Sequence, residues 1–255
     1  MKIVLIHGLA GSARSFESLE RALVSSGHAC HSFDLIGFGT RMESGDDYSL
    51  EAFVEFIDQE IRSRFGEERV CVLGHSLGGV LALAWAGAHR KRCVGIILLN
   101  THMATSSEEL IDEANSRRLS WGSLMLNHPR FSRMACRLLC SLGLMRLLRP
   151  WKPRHITEPM FHDYTKHTWR SVSETFRHVY LSHPGIPLLK ELRGMPVLNV
   201  YGTRAGGLER RIELEDVESV GVESGHYAFL EQPDIVVNEI NAFLRRTMSV
   251  VVVPT

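Results

Sequence analysis

Gly74-His75-Ser76-Leu77-Gly78-Gly79 is the stretch that decides the fold. It follows the apolar run Val70–Leu73 and precedes a helical pattern from Val80, which fits a serine on a sharp turn between a strand and a helix. Such a turn strains the serine backbone and exposes the hydroxyl above the sheet, while the glycines let strand and helix approach closely. The pattern predicts Ser76 as a nucleophile and the Leu77 N–H as a donor to a developing oxyanion.

Outward from this turn, short β-branched apolar runs alternate with longer helical patterns. The alternation predicts an α/β fold with a mostly parallel central sheet and helices on both faces. Two of the runs, Val70–Leu73 and Val94–Leu99, are apolar without alternation, so they should lie at the sheet centre. The predicted strands are Lys2–Ile6, His28–Phe33, Arg69–Leu73, Val94–Leu99, Pro196–Tyr201 and Ser219–Val222, and the predicted helices are Leu19–Ser25, Leu50–Phe65, Val80–His89 and Ile235–Arg246.

Between Thr101 and Met195 the pattern becomes helical. Six prolines separate helical segments, which are predicted at Glu108–Arg118, Arg130–Leu148 and Ser171–Leu181. We predict a helical lid inserted after the strand that ends near Asn100, over the carboxyl ends of the strands, where open α/β sheets bind ligands. Residues 1–100 and 196–255 would form the core, and residues 101–195 the lid.

Charge is unevenly distributed along this neutral chain. The predicted lid carries 14 Lys and Arg against 8 Asp and Glu, although the whole chain has 29 of each. Overall neutrality gives little support to nucleic-acid binding or to a polybasic membrane protein. The local excess predicts either a solvated helical surface or a docking face for an acidic partner. Within it, Leu138–Leu148 mixes Leu, Met and Gly with single arginines, as a cover over an apolar substrate would.

Two features bear on where the protein works. The apolar run Ile3–Ile6 stops at His7, and a signal peptide needs roughly 7–15 apolar residues. No segment approaches the roughly 18 apolar residues of a membrane span. The five cysteines include no C-x-x-C pair, which fits reduced thiols better than a disulfide framework. A soluble, cytoplasmic protein is expected.

Two more segments fall at the sheet edge where Ser76 is predicted. His7-Gly8-Leu9 follows the first strand, and a tight turn there would aim the Leu9 N–H toward Ser76. Gly225-His226 follows the last predicted strand, where a loop histidine can reach Ser76 and take its proton. His226 also comes after Ser76 in the chain, in the Ser, acid, His order of one hydrolase family.

Together these segments resemble the α/β-hydrolase superfamily over nearly the whole chain. The size, the insertion and the D-L-x-G-F-G segment are similar to the small lidded carboxylesterases and thioesterases, including pimeloyl-acyl-carrier-protein methyl ester esterases. The resemblance implies that Ser76 is the nucleophile and His226 the general base, with Leu9 and Leu77 as the oxyanion hole. The segments that carry it are His7-Gly8, Phe33–Gly39, Gly74–Gly79, Pro196–Gly202, Gly225-His226 and Glu231–Pro233.

The resemblance also demands an acid three residues after the glycine of Tyr201-Gly202, and this chain has Ala205 there. The alternative family position, after the preceding strand, reads Asn100-Thr101 and offers only neutral acceptors. The connection to the histidine is shorter than the family usually has, and an alanine is also what a change made to trap a complex would leave. Glu209 is the preferred substitute acid. The carboxylates considered as substitutes are Glu209, which is the closest in sequence, and then Glu213 and Asp216.

No metal and no cofactor are expected. The histidines His162 and His167 do not share a helical face, and Cys136 with Cys140 lacks a second ligand pair in the nearby sequence, which favours apolar packing. The expected substrate-binding residues are His7, Gly8, His75, Leu142 and Met145.

The expected function is a serine hydrolase that cleaves an ester or thioester of an apolar acyl group through an acyl-enzyme on Ser76. The acyl group could be part of a small molecule or be carried on coenzyme A or on an acidic acyl carrier protein. The alternative is a ligand-binding protein that keeps the hydrolase fold without efficient turnover, because a fold alone does not establish activity. Ala205 and the short connection to His226 motivate that alternative, and the activity of Ala205→Asp would distinguish the two functions.

Overall fold

One parallel sheet organises the protein. The computed structural model describes residues 1–116, 120–141 and 143–251, and within them six strands pair in parallel in the order β2-β1-β3-β4-β5-β6. The predicted α/β fold is confirmed. The strands are β1 Lys2–Ile6, β2 Ala29–Phe33, β3 Val70–His75, β4 Cys93–Leu99, β5 Val197–Gly202 and β6 Val217–Val222.

The two strands predicted at the centre lie there. All residues of β3 and β4 are buried, as continuous apolar runs require. The boundaries differ from the prediction at one important place. Strand β3 continues to His75 and the next helix begins at Leu77 rather than Val80, so Ser76 alone makes the transition from strand to helix.

Helices cover both faces of the sheet, as predicted. In β1, Val4 and Ile6 belong to one apolar cluster and Ile3 and Leu5 to the other, because successive strand residues point to opposite faces. Helices α2 and α3 cover the first cluster, and α1 and α11 cover the second. The bounds are α1 Glu17–Ser25, α2 Leu50–Phe65, α3 Leu77–Ala88, α10 Ala228–Glu231 and α11 Pro233–Val251.

The segment between β4 and β5 is helical in its described residues. The predicted helix Arg130–Leu148 is not one helix: α6 continues as a π-helix over Arg137–Ser141, and Leu144–Trp151 is 3-10. The break coincides with Gly143, whose φ of 71° belongs to the left-handed region. The division into core and lid stays a prediction. The α-helices here are α4 Ser107–Ser116, α5 Trp121–Asn127, α6 Pro129–Cys136, α7 Glu158–Asp163, α8 Trp169–Thr175 and α9 Gly185–Glu191, with a second π-helix at Phe176–Leu181.

Two further features concern the length of the helices and the connection from β5 to β6. No helix in the described part of the chain is both long enough and apolar enough to cross a bilayer. The connection from β5 to β6, residues 203–216, contains turns and no helix. This short connection begins at the edge of the sheet where Ser76 lies, and it carries Glu209.

Candidate active site

Ser76 has the strained backbone that the sequence predicts. Its φ is 53° and its ψ is −118°. A Cβ on Gly74 would collide with the carbonyl oxygen of Gly78, and a Cβ on Gly78 would collide with that of Ile6. The glycines of the motif are therefore needed for the close approach of strand and helix. Leu77 is the first residue of α3, so its N–H has no partner within the helix and remains available to an anion.

Backbone strain is concentrated around this serine. Among the described residues, the non-glycine residues with positive φ are Ala10, Ser76 and Asn100. They follow β1, β3 and β4, three neighbouring strands of the sheet, at their carboxyl ends. Residues held in such conformations cost free energy and cluster at functional sites. The strain marks this edge of the sheet as a site.

His226 faces a buried carboxylate. Its Nδ1 lies 2.6 Å from Oε1 of Glu209, whose residue surface is only 7% exposed. Because a carboxylate can only accept, His226 Nδ1 carries the proton and Nε2 is left free to take one. The structure thus brings the predicted histidine and the preferred substitute acid together. Glu213, by contrast, is exposed, and Asp216 accepts a hydrogen bond from the Gly194 N–H.

Asn100 and His102 hold the same carboxylate from the end of β4. The Asn100 side-chain amide donates to Glu209 Oε2 at 2.6 Å, and His102 Nε2 lies 3.3 Å from Oε1. Asn100 is fixed in turn, because its Oδ1 accepts from the Ala228 N–H and its Nδ2 also donates to the Gly225 carbonyl. The sequence prediction treated Asn100 only as a neutral acceptor and did not include His102.

These donors keep Glu209 ionised. Burial alone would raise the pKa of its carboxyl group, but hydrogen bonds from the two histidines and from Asn100 outweigh burial and hold the pKa well below its usual range. An ionised carboxylate at this place can accept the Nδ1 proton of His226 and stabilise positive charge that develops on the ring during proton transfer.

The local backbone explains how Glu209, four residues after Ala205, can place its carboxylate beside His226. Gly206 and Gly207 both have positive φ, 73° and 62°, so the chain turns back directly after Ala205. A Cβ on Gly207 would collide with the carboxylate of Glu113. After the turn, Leu208 is buried and its carbonyl accepts from the Met103 N–H, which brings the following residue, Glu209, toward the end of β4. The carboxylate that faces His226 is therefore supplied by Glu209, four residues after Ala205.

A cavity of about 600 Å³ opens beside Ser76 and His226. This volume is in the usual range of small-molecule sites. Leu9, Leu77, His102 and Glu209 also contribute to its lining. Much of the wall is apolar and comes from α5 and from the π-helix Phe176–Leu181. These wall residues are Trp121, Met125, Phe176 and Tyr180.

The predicted site residues of the turn after β1 differ in whether they reach the cavity. Gly8 packs closely, since a Cβ there would lie 3.1 Å from Ser76 Cβ, and its neighbour Leu9 reaches the cavity. His7 is fully buried, donates from Nδ1 to the Gly8 carbonyl and accepts the Leu35 N–H at Nε2. His7 therefore stabilises the turn after β1 through these two hydrogen bonds, and it is not among the residues that line the cavity.

His75 supports the loop that carries His226. Its Nε2 donates to the His226 carbonyl at 3.0 Å, and burial lowers the pKa of its ring to about 3. The neutral ring adds no positive charge beside His226. Met145 lies in the 3-10 segment and is not among the cavity-lining residues, while Leu142 lies outside the described residues.

Comparisons with known proteins agree with this architecture. A family model described as the alpha/beta hydrolase fold matches residues 2–139. The 1-acylglycerol-3-phosphate O-acyltransferase ABHD5 of Rattus norvegicus is 25% identical over a match that covers 91% of this chain and 74% of that protein. The malate-bound esterase of Thermogutta terrifontis aligns with a TM-score of 0.70 at 21% identity, covering 97% of this chain and 90% of that one. MenH from S. aureus aligns with a TM-score of 0.69 at 16% identity, covering 97% and 94%. At these identities the two solved structures share the fold.

Proposed function

Because this chain belongs to the α/β-hydrolase fold family, we propose that it is a serine hydrolase that cleaves an ester or thioester of an apolar acyl group. Ser76 attacks the carbonyl carbon, and His226 Nε2 takes the hydroxyl proton and returns it to the leaving group. Water then resolves the acyl-enzyme on Ser76, again with His226 as the base. The Leu9 and Leu77 N–H groups stabilise the oxyanion.

The buried pair of His226 and Glu209 is the observation that carries this proposal. A 2.6 Å contact between His226 Nδ1 and an ionised carboxylate is what a general base needs in order to keep its productive tautomer. The pair and Ser76 line one cavity. The alternative of a protein that has lost efficient turnover rests on Ala205 and on the short connection to His226. The contact between His226 and Glu209 argues against it, and the labelling experiment below distinguishes the two functions.

The cavity supports an apolar acyl group as the substrate class. Trp121, Met125 and Phe176 form an apolar wall near Ser76, and binding there would remove the acyl chain from water. The basic excess of residues 101–195 supports an acyl group presented on coenzyme A or on an acidic carrier protein. The ABHD5 relative is named as an acyltransferase, so an alcohol acceptor such as 1-acylglycerol-3-phosphate belongs in the assay beside water.

Labelling with a fluorophosphonate probe tests the proposal. The intact protein should acquire one covalent label on Ser76, because the probe needs an activated serine and an oxyanion hole. Preincubation with a p-nitrophenyl ester should protect Ser76, and longer acyl chains should lower KM because each buried methylene contributes about 0.8 kcal/mol. Native protein that stays unlabelled and hydrolyses no ester or thioester in the series would refute the proposal.

An aspartate at position 205 should not increase activity. His226 Nδ1 has one proton, and Glu209 already accepts it. A second carboxylate beside this buried anion would be repelled. We expect kcat/KM of Ala205→Asp to equal or fall below that of the native protein, with Ala205→Asn as the uncharged control. A gain of about 100-fold, worth nearly 3 kcal/mol, would mean that Glu209 is not the working acid.

A further inference from the structure

Two cysteines and a histidine meet within the helical segment between β4 and β5. Cys136 ends α6, Cys140 lies one turn later in the π-helix, and His167 precedes α8. Their ligand atoms, the two Sγ atoms and an imidazole nitrogen, all lie within 4.8 Å of one another. His167 Nε2 is 3.6 Å from Cys136 Sγ and 3.7 Å from Cys140 Sγ. We propose that these residues bind one zinc ion.

The distances match those around a tetrahedral zinc ion. With Zn–S of about 2.3 Å and Zn–N of about 2.0 to 2.1 Å, ligands at the tetrahedral angle place sulfur and nitrogen about 3.6 Å apart. The observed sulfur–nitrogen separations of 3.6 and 3.7 Å agree with this value, and the two sulfurs also lie within 4.8 Å of each other. Nε2 has one lone pair and can accept a hydrogen bond from only one of the two sulfurs that approach it, whereas one zinc ion would engage both sulfurs and the nitrogen.

Burial and ligand type favour zinc over a hard cation. Cys136 and His167 are 2% and 6% exposed, whereas Cys140 is partly exposed and leaves an approach for a solvent ligand. Thiolate and imidazole donors select zinc over magnesium or calcium. The nearby carboxylate of Asp163 is engaged elsewhere, with the guanidinium of Arg14 at 3.0 Å and the ammonium of Lys166 at 2.8 Å.

A zinc ion here would crosslink two parts of the helical segment, one of which contacts the loop after β2. Cys136 and Cys140 belong to one helical stretch, and His167 belongs to a segment that pairs with the loop after β2 through an antiparallel bridge to Phe38. The adjacent Lys166 carbonyl accepts from the Gly39 N–H at 2.9 Å. The ion would therefore join two parts of the chain, the helical stretch of the cysteines and the segment of His167, and backbone pairing already holds the second part to the loop after β2. This departs from the sequence expectation, which found no partner for the two cysteines because His167 is distant in sequence.

Metal content and cobalt substitution test the site. The tag-free full chain, dialysed against buffer without chelator, should retain about one equivalent of zinc by elemental analysis. Cobalt(II) in place of zinc should produce a thiolate-to-cobalt charge-transfer band in the near ultraviolet. Cys140→Ser and His167→Gln should each weaken zinc binding at least about 100-fold in competition with a chromophoric chelator, since a direct ligand should matter no less than its supporting shell.

Two controls separate this site from other ligands. Cys30→Ser removes a buried thiol of β2 that is not one of the proposed ligands, and it should leave zinc affinity unchanged. His102→Gln disrupts the second group of metal-ligating atoms among the described residues, His102, Glu209 and His226, and should also retain the one equivalent of zinc. Circular dichroism verifies that each variant is folded. Native protein without zinc and without a cobalt band after reconstitution would overturn the proposal, as would zinc retained equally by native protein and by folded Cys140→Ser and His167→Gln.

Discussion

Replacing Ser76 by alanine should lower kcat by about 10⁶-fold, the loss seen when a serine nucleophile is removed from such a site. Without the hydroxyl there is no acyl-enzyme, and only substrate binding and the oxyanion donors remain to assist water. Alanine adopts the φ of 53° at the same steric cost as serine, so the strained turn should persist. The loss would then report chemistry rather than folding. Initial rates with a p-nitrophenyl ester, together with fluorophosphonate labelling, measure it.

Ser25→Ala provides a matched control for this experiment. Ser25 is an exposed serine on α1, and its hydroxyl donates only to the Arg21 carbonyl within the helix among the contacts that the structure describes. The variant should keep the native kcat and the native label. If Ser76→Ala, folded as judged by circular dichroism, hydrolyses the ester within tenfold of the native rate, the nucleophile lies elsewhere.

The sequence predicted the parts of the fold and site that depend on local pattern. Strands β3 and β4 were located from unbroken apolar runs, because a strand covered on both faces needs no polar residues. Ser76 was located because its strand, its turn and its helix are contiguous in the chain. The glycines beside Ser76 add to this local pattern. The structure accounts for them, because there is no space for a Cβ at Gly74 or Gly78.

Features that depend on distant contacts were harder to predict. Glu209 could be named only as the nearest carboxylate, because its position depends on the left-handed Gly206 and Gly207 and on the contact of Leu208 with Met103. The position of His102 in the sequence is informative, because it lies two residues after Asn100, at the edge of the sheet where the site is predicted. In the helical segment, periodicity does not distinguish α-helix from π-helix, and it does not predict the break that coincides with Gly143.

Glu209→Gln should lower kcat by about 10⁴-fold, roughly 5 kcal/mol of transition-state stabilisation, with little change in KM. The carboxylate accepts from Asn100 at Oε2 and faces both histidines at Oε1. A glutamine has only one oxygen. Asn100 cannot rotate to accept, because its own oxygen and amide are fixed by Ala228 and Gly225. The glutamine oxygen must therefore face Asn100, and its NH₂ group must face the histidines.

That orientation determines the tautomer of His226. A donor opposite Nδ1 requires Nδ1 to be unprotonated, which moves the proton to Nε2 and removes the base that Ser76 needs. Glu213→Gln is the matched control, because Glu213 is an exposed carboxylate four residues further along and should leave kcat unchanged. Steady-state kinetics of both variants measure the difference. A Glu209→Gln enzyme with kcat within tenfold of native would show that His226 keeps its productive tautomer without this carboxylate, and the role assigned to Glu209 would be wrong.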